Sequence, residues 1–590
     1  MRTLRLFLVT FLFLFLTIQS NAQFQESYNS QKEVITHYLN ERGEVYLKFF
    51  VLTKSSINYL TNLISIDNIK PLPLGYEVYA YANERELNNL SKYNLAFEIL
   101  RHPADVEEIY KTADSPEELL GWDTYPTYNT YVDMMNQFQS QYPNLCKIIN
   151  IGTTVQGRSL LFAKITDSVE YRKNKPQVML TSSIHGDETT GYVLMLRLID
   201  TLLKAYGVDP NLTYLVKNCE IWINPLANPD GTYYGGNGTV NGARRYNANG
   251  FDLNRNFPDP AAGPYPGGTR QIETIAFMNV AINNNFVLSC NFHGGAQVIN
   301  YPWDTWARLH PDDQWFIFIS RQYVDTVHSI NSNYMTDLYG YPNIPGITNG
   351  YAWYRITGGR QDYMTYFRGS RETTIEISAI KLLPPAQLPT YWNYNYKSFI
   401  NYIRKSLFGL RGIVKDSLTG QPIKARVTVT GFEVADSTQV YSDSLIGNYH
   451  RMLIAGNYTV NFSAPNYYPK TITNVHIQND STTILNVYLR PINTPIRVHT
   501  SEVSEFSLNQ NYPNPFNSNT LIGFSVPKET YVQLSIYDIT GKEIIKLVNN
   551  TLKTGYYSII FDANKLSSGI YFYRLNAGAF SQIKKMVILK

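Results

Sequence analysis

Four short segments, each of which runs directly into a cluster of polar residues, constrain the fold of this chain most. Residues 178–180, 220–224, 286–292 and 373–377 are rich in apolar and β-branched side chains, which is the pattern of buried strands. Residues 191–205 repeat apolar side chains at helical spacing. Strands that alternate with helices are typical of α/β folds, where ligands gather at the carboxyl ends of the strands. We therefore expect an α/β fold with its functional site at that edge.

The polar clusters contain the residue types that a catalytic zinc site requires. His185 and Glu188 follow the first segment, and His293 directly follows the third. Two imidazoles and one carboxylate leave the fourth coordination position of zinc open for water, whereas structural zinc usually takes four protein ligands. A histidine and an acid at the same spacing also occur elsewhere, and we interpret these pairs as chance: His102 with Asp105, His310 with Asp313, and His499 with Glu502.

Residues 245–259 are rich in arginine and asparagine, which suggests recognition of an anion. They include Arg245, Asn254 and Arg255, and a guanidinium group matches a carboxylate through two parallel hydrogen bonds. The alternative is a glycine- and asparagine-rich surface loop, which composition alone favours.

Together these motifs resemble those of the zinc metallocarboxypeptidases, and more narrowly of their N/E subgroup, whose members remove C-terminal lysine or arginine. The resemblance covers roughly residues 120–490, with the motifs in family order and at family-like separations. The motifs are His185 with Glu188, Asn228-Pro-Asp-Gly231, residues 245–259, His293-Gly-Gly with Asn300-Tyr-Pro and Asp304, Tyr354 with Gly358-Gly359 and Gln361-Asp362, and Glu376.

The resemblance implies one zinc ion per chain, held by His185, Glu188 and His293. It implies that Glu376 is the general base, which takes a proton from the attacking water and later delivers it to the leaving amine. Arg245 corresponds to the arginine that polarises the scissile carbonyl and stabilises the oxyanion. The chemistry agrees with these roles, because zinc lowers the pKa of water and a carboxylate then suffices as base.

The same resemblance implies a binding site for the last residue of a peptide. Asn254 and Arg255 correspond to the pair that grips the free terminal carboxylate, and Tyr354 to the mobile tyrosine that closes over the substrate. Asp304 and Gln361 correspond to positions that line the pocket for the last side chain. An acid there favours lysine or arginine, because it pairs with a cation that must be desolvated.

Two departures from the family pattern bear on specificity. Arg360 stands beside Gln361 and opposes a basic side chain if it points inward, and Asp187 replaces an arginine that some pancreatic-type relatives have between the first two ligands. Two alternatives therefore stay open. One is the same chemistry on neutral C-terminal residues or peptidoglycan peptides. The other is a non-catalytic surface binding protein, which is disfavoured because ligands, base, oxyanion arginine and carboxylate clamp are all present.

A chain of 590 residues is long enough for several domains. The predicted organisation is a signal peptide (1–22), an N-terminal α+β module (23–118), a mixed-sheet zinc carboxypeptidase domain (119–408), a transthyretin-like β-sandwich (409–490), a linker (491–505) and a C-terminal β-sandwich (506–590). Arg2 and Arg5 before an apolar run over 6–18 indicate the signal peptide. That run is too short to span a membrane comfortably, so no transmembrane segment is expected.

The N-terminal module is predicted from local patterns alone. Its strand-like runs are 44–51, 76–80 and 95–100, and its helix-like runs are 55–63 and 84–92. Many metallocarboxypeptidases carry a propeptide of similar size and position, so the resemblance implies an activation segment. A stable accessory domain is the alternative.

Both C-terminal modules are predicted to be all-β. Residues 425–430 and 456–462 alternate apolar and polar side chains, and this region resembles the transthyretin-like sandwich that follows the catalytic domain in the N/E subgroup. The last module resembles the type A sorting domain of the type IX secretion system through four motifs: residues 511–516, 534–541, 568–574 and 584–590. That implies the type IX machinery as a partner and a secreted or cell-surface location in a Gram-negative bacterium. A carbohydrate- or protein-binding sandwich is the alternative.

Composition excludes several other classes. The net charge of +4 is mild, and no basic cluster indicates nucleic acid. The expected partners are peptide or protein C-termini, as the resemblance implies. Cys146, Cys219 and Cys290 are too few for a disulfide framework. Three buried thiols, or one bridge with a free thiol, both stay open.

Overall fold

The computed structural model describes residues 22–433, 435–492, 497–499, 503–564 and 566–589. All but the last residue of the expected signal peptide therefore lies outside the described residues. The chain divides into two compact units, residues 1–414 with 422–461 and 471–487 in the first, and 415–421, 462–470 and 488–590 in the second. Within the described ranges, no helix is both long and apolar enough to cross a membrane.

An eight-stranded mixed sheet forms the centre of residues 119–408, which we call the catalytic region after the sequence prediction. Its strands, from one edge to the other, are Ile347–Asn349, Ala296–Tyr301, Arg371–Ser378, Phe286–His293, Gln177–Ser182, Glu220–Asn224, Ser159–Ile165 and Cys146–Thr153. The four strands predicted from the sequence occupy successive positions and run parallel to one another. Three of them are buried along their whole length, which explains their continuous apolar character. The predicted α/β mixed-sheet fold is confirmed.

Helices pack against this sheet through two hydrophobic clusters. The longer ones are Tyr128–Gln141, Thr190–Ala205, Pro210–Asn218, Ile272–Asn283, Asp313–His328 and Leu388–Lys405. Shorter helical turns are Pro116–Leu119, Pro229–Thr232, Leu253–Arg255, Gly350–Trp353, Arg360–Asp362, Tyr363–Phe367 and Pro385–Gln387, and Thr112–Ala113 pairs with Tyr125–Pro126. The last strand of the predicted set is longer than expected, because Arg371 and Glu372 are buried within it despite their charge.

The N-terminal module has a four-stranded antiparallel sheet in the order Ser65–Leu72, Gly75–Ala82, Val45–Val51 and Phe97–Leu100. Its helices are Ala22–Ser30, Lys32–Arg42, Lys54–Leu60 and Glu84–Leu90, followed by the turn Ser91–Tyr93. The predicted elements are present, but the first two helices and the strand Ser65–Leu72 were not predicted. We call Ser65–Leu72 the cleft strand, for reasons given below.

The N-terminal module packs on the catalytic region through a shared apolar cluster. Residues of the module's own core, such as Ile66 and Val78, belong to the same cluster as Trp353, Tyr354 and Ile356 of the catalytic region. Burial of apolar surface is the main stabilising term in such contacts. The module therefore covers the part of the catalytic region that contains Tyr354.

Two further β modules follow. Residues 409–489 contain one sheet in the order Asn448–Arg451, Gly409–Asp416 and Thr482–Ile484, joined by Val487–Leu489, and another in the order Val440–Tyr441, Arg426–Val429, Gly456–Ser463 and Lys470–Ile477. The second unit contains one sheet in the order Arg497–His499, Gly555–Asp562, Asn519–Val526 and Ser507–Leu508, and another in the order Glu543–Leu552, Thr530–Tyr537, Gly569–Ala577 and Phe580–Ile588. The expected linker 491–505 thus includes one edge strand, Arg497–His499.

The three cysteines are free and buried. Burial raises the pKa of Cys146 to about 12 and that of Cys219 to about 11. Since the thiolate is the reactive form, these thiols act as small apolar core residues. Of the two arrangements left open by the sequence, three buried thiols is the one observed.

Candidate metal and substrate site

His185, Glu188 and His293 meet at the carboxyl ends of two adjacent parallel strands, Gln177–Ser182 and Phe286–His293. All three are buried, and their ligand atoms lie within 4.8 Å of one another. His185 Nδ1 lies 2.9 Å from Glu188 Oε1, and His293 Nδ1 lies 2.7 Å from Glu188 Oε2. Two imidazole nitrogens and a carboxylate therefore face one point, which fits the ligand set of a catalytic zinc site.

The far nitrogen of each imidazole is held by a second polar group. His185 Nε2 lies 3.1 Å from Asp252 Oδ1, and His293 Nε2 lies 2.7 Å from the side-chain amide of Asn291. Such partners fix the ring orientation of metal-binding histidines. Burial lowers the pKa of His293 to about 4, so the ring is neutral at pH 7 and its lone pair is available to a metal ion.

Glu376 lies beside the ligand group because its strand is paired in parallel with Phe286–His293, in a register that sets Glu376 opposite His293. The residue is half-buried, its Oε2 is buried, and among the described residues this oxygen has no hydrogen-bond partner. Burial, aided by the charge of Glu188, holds the pKa of Glu376 well above its usual range. A buried oxygen without a partner is uncommon, and a shifted pKa beside a metal-ligand group marks Glu376 as a candidate for proton transfer.

Asp252 and Lys381, two charged residues that the sequence analysis did not single out, contact the ligand group. Asp252 Oδ2 accepts from Arg245 Nε at 3.2 Å, while its other oxygen faces His185. Lys381 Nζ donates to Glu188 Oε1 at 2.8 Å. Burial pushes the pKa of Glu188 upward, but the charges of His185, Lys381 and His293 outweigh it and hold that pKa well below its usual range. Glu188 is therefore ionised, as a metal ligand must be.

The arginine- and asparagine-rich segment lines the same cleft as the ligand group. Arg245 Nη1 donates to Glu188 Oε1 at 3.3 Å. Arg255 Nη1 donates to the backbone oxygen of Asn254 at 3.1 Å, which leaves its Nη2 directed into the cleft. The structure thus brings together the three residues that the sequence indicated for anion recognition.

The predicted pocket acid, Asp304, is buried among neutral amides. Its Oδ1 accepts from Asn300 Nδ2 at 3.1 Å and from Gln361 Nε2 at 3.0 Å. Burial raises the pKa of Asp304 to about 7. A Cβ atom at Gly350 would lie 1.7 Å from Asp304 Oδ1, so only glycine leaves room for the carboxylate in this position.

Arg360 does not point into the pocket. Its Nε donates to Glu372 Oε1 at 2.9 Å and its Nη2 donates to the backbone oxygen of Cys290 at 3.1 Å. The buried guanidinium of Arg360 thus pairs with Glu372. It therefore does not repel a basic substrate side chain in the pocket. Asp187 also turns away from the pocket and accepts from Tyr81 of the N-terminal module at 2.7 Å.

The cleft strand occupies the space between these residues. The backbone oxygen of Ile66 accepts from Arg255 Nη2 at 3.0 Å and from the Tyr354 hydroxyl at 3.3 Å. Tyr354 also donates to the backbone oxygen of Asp67 at 3.1 Å. About 30 Å³ of free volume is left in the cleft, which holds only a few water molecules at roughly 10–15 Å³ each.

Nine of the ten residues indicated by the sequence line this one cleft, and Gln361 lies behind Asp304. Two of the three pairs interpreted as chance are structural: His102 faces Glu44 at 3.0 Å, and the ring of His310 packs on Trp303 with centroids 4.8 Å apart. For His499 and Glu502, the side chains lie outside the described residues. Asp252 could have been found inside the segment 245–259, whereas Lys381 carries no signal in the sequence.

Comparisons with known proteins agree with this geometry. Residues 131–398 match a family model described as zinc carboxypeptidase. Residues 409–490 match a carboxypeptidase regulatory-like domain, and residues 510–589 match a secretion system C-terminal sorting domain. The recognition of the two C-terminal modules is thereby confirmed.

Individual relatives extend the match. Carboxypeptidase D of Rattus norvegicus is 34% identical over 369 residues, which cover 60% of this chain but only 26% of the relative, so the chain spans about a quarter of that protein. Carboxypeptidase M of Mus musculus is 34% identical over 347 residues, with 55% of this chain and 75% of the relative covered. Carboxypeptidase E of Caenorhabditis elegans is 31% identical over 414 residues, with 63% and 87% covered. With the ligand group, the family model and these relatives in agreement, the chain belongs to the zinc carboxypeptidase family.

Proposed function

We propose that this chain is a zinc-dependent carboxypeptidase that removes C-terminal lysine or arginine from peptides or proteins. One observation carries the proposal: a buried metal-ligand group, the carboxyl group of Glu376, the pair Asn254 and Arg255, and the buried acid Asp304 all line a single cleft. Packing alone does not require four such groups in one place.

The residues of the chain divide the chemistry between them. A zinc ion held by His185, Glu188 and His293 would lower the pKa of water and polarise a carbonyl group. Glu376 takes a proton from the attacking water and passes it to the leaving amine. Arg245, whose Nε is held by Asp252, stabilises the negative charge that develops on the carbonyl oxygen.

The other end of the cleft accounts for exopeptidase action and for basic specificity. Arg255 and Tyr354 already donate to a backbone oxygen of an extended strand, and a terminal carboxylate of a substrate would take the same donors. Among the described residues, the side chains that donate hydrogen bonds to Asp304 are the neutral amides of Asn300 and Gln361. A lysine or arginine side chain would supply the cation that this carboxylate lacks.

We further propose that the N-terminal module (23–118) holds the intact chain inactive. Its cleft strand takes the donors of Arg255 and Tyr354 and places Asp67 on Arg245 and Lys381. A substrate needs the same space. The sorting domain at 510–589 supports export through the type IX system, and with the predicted signal peptide we propose a secreted or cell-surface enzyme of a Gram-negative bacterium.

The test is a set of peptides that differ only in the C-terminal residue, assayed with and without a zinc chelator. The intact chain is compared with a chain cleaved after the exposed Lys111. We expect cleavage to raise activity, lysine and arginine peptides to be hydrolysed fastest, and the chelator to abolish hydrolysis. Equal rates on neutral peptides would favour the broader specificity, and an intact chain as active as the cleaved one would make the module an accessory domain.

A further inference from the structure

Two cations of the catalytic region hold one carboxylate oxygen of the cleft strand. Lys381 Nζ lies 2.7 Å from Asp67 Oδ1, and Arg245 Nη1 lies 3.3 Å from the same atom. The side chains of Lys381, Arg245 and Asp67 are only 3%, 2% and 9% exposed. Ion pairs this well shielded from water are screened much less than surface pairs.

Lys381 has partners in both the catalytic region and the N-terminal module. An ammonium group has three N–H donors. Two of those on Lys381 meet Glu188 Oε1 at 2.8 Å and the backbone oxygen of Gly294 at 3.0 Å, both within the catalytic region. Lys381 Nζ also forms a 2.7 Å ion pair with Asp67 Oδ1, and Asp67 comes from the N-terminal module. Without the cleft strand, Lys381 and Arg245 would keep Glu188 as a shared partner, but both cations would face the point that Asp67 had left.

This point differs from the place where Arg255 binds. Arg255 Nη2 and the Tyr354 hydroxyl take the backbone oxygen of Ile66, whereas Lys381 and Arg245 take the side chain of the following residue. The extended strand in the cleft therefore meets two separate groups of donors. A peptide in the same cleft would find two places for negative charge.

We propose that Arg245 and Lys381 form a second carboxylate-binding subsite in the cleft, separate from Asn254 and Arg255, and that Asp67 fills it in the intact chain. The inference rests on the proposed function, since it assumes that the cleft takes peptides. The ligand is a carboxylate, and it has two possible sources. One is an acidic side chain upstream of the scissile bond, and the other is the new terminal carboxylate of the shortened peptide.

The experiment measures binding without turnover. Full-length chain carrying Glu376→Gln is loaded with zinc and either cleaved after Lys111, with both fragments kept, or given Asp67→Asn as well. Two matched pairs of acetylated peptides are titrated by calorimetry at low salt. The first pair ends in lysine and differs only by glutamate or glutamine at the penultimate position. The second pair is a shortened peptide with a free terminal carboxylate or an amide.

We expect the carboxylate member of at least one pair to bind about tenfold tighter, as is typical for hydrogen bonds to charged groups. The difference should disappear with Lys381→Met and persist with Lys381→Arg, which keeps the charge. If the affinity difference that depends on Lys381 appears in the first pair, the subsite binds an acidic side chain. If it appears in the second pair, the subsite binds the product carboxylate. If neither pair shows a difference that depends on Lys381, the proposal is overturned.

A second measurement needs neither zinc nor activity, which matters because Lys381 also contacts Glu188. In the intact chain, Asp67→Ala removes the internal carboxylate, and sodium acetate is then added as the probe. Acetate should raise the thermal midpoint of this variant more than acetamide with matched sodium chloride does, and should fail to do so when Lys381→Met is also present. An acetate effect that survives Lys381→Met counts against the subsite. Absence of peptide hydrolysis by the zinc-loaded chain that keeps Glu376 and is cleaved after Lys111 would contradict the proposed function. Both binding results would still decide the subsite.

Discussion

Two acidic side chains in one cleft, Asp67 and Asp304, have opposite surroundings. Asp67 is delivered by the N-terminal module and lies against two cations, Lys381 and Arg245. Asp304 belongs to the catalytic region, accepts from neutral side-chain amides, and burial raises its pKa to about 7. In the intact chain, Asp67 thus pairs with cations at the end of the cleft near the metal ligands. At the pocket end, Asp304 has no such cationic side chain as a hydrogen-bond partner among the described residues.

The difference separates two kinds of effect. Changes at the metal end should affect every substrate alike, because all substrates react there. Changes at the pocket end should affect only substrates with a basic last residue. Changes in the cleft strand should affect the intact chain and not the chemistry of the cleaved one.

The largest expected effect is at the base. Glu376→Gln should lower the hydrolysis of both basic and neutral peptides at least ~100-fold, because the general base is lost. Zinc content should stay at one per chain, since the three ligands are untouched. Rate and metal content are measured on the same preparation. An unchanged rate would remove Glu376 from its role.

The next effect distinguishes the pocket end. Asp304→Asn should lower kcat/KM for C-terminal lysine and arginine by about 100-fold, because a substrate cation would be buried without its partner. Peptides that end in leucine should change by no more than a few fold. Asp325→Asn, an exposed acid on the helix Asp313–His328, serves as the matched control. Parallel losses on both substrate types would contradict a pocket role.

A smaller effect tests the cleft strand. Asp67→Asn should raise the activity of the intact chain about tenfold, because one charge-assisted contact to each of two cations is lost. The exposed Glu33→Gln on the helix Lys32–Arg42 is the control and should have no effect. The cleaved chains are compared in parallel, and there the two variants should match the unmodified chain. An intact Asp67→Asn chain that stays as inactive as its parent would argue against inhibition through this contact.

The smallest effect is a pH dependence at the pocket. The Asp304 pKa of about 7 means that its carboxyl is neutral below this pH and ionised above it. The ratio of kcat/KM for lysine over leucine peptides should therefore rise a few fold between about pH 6 and pH 8. The ratio is measured because ionisation of Glu376 affects both substrates. In Asp304→Asn the ratio should be flat, and a flat ratio in the unmodified chain would contradict this assignment.

Much of the site could be predicted because its residues lie at the ends of strands with clear apolar patterns. His293 directly ends the strand Phe286–His293, and Glu376 lies within Arg371–Ser378. A buried parallel strand can be recognised in the sequence by its continuous apolar side chains. The residues that follow it are brought together by the fold, so their grouping follows from the topology.

The cleft strand could not be predicted in the same way. Asp67, Asn68 and Pro71 interrupt any alternation of apolar and polar side chains in Ser65–Leu72, and proline is tolerated in a strand only at special positions. The segment is extended because it pairs with Gly75–Ala82, and its Ser65, Asp67 and Asn68 have partners in the catalytic region. Such partners are distant in sequence, and no local pattern reveals them.

Lys381 was missed for a related reason. It follows Glu376 in a loop, and a single lysine in a loop is usually exposed. Only the folded chain brings its ammonium group to Glu188. Charged residues that serve a site from outside its motifs are the part of a functional centre that sequence reasoning finds least readily.

The register that sets Glu376 opposite His293 has a consequence for how enzymes with this sheet can diversify. The spacing between His293 and Glu376 is maintained by the backbone ladder of two neighbouring strands, so it does not depend on the surrounding loops. Insertions or exchanges in those loops can then change which peptide tails are admitted while the reacting groups keep their separation. Substrate specificity can therefore vary without a change in the positions of the reacting groups.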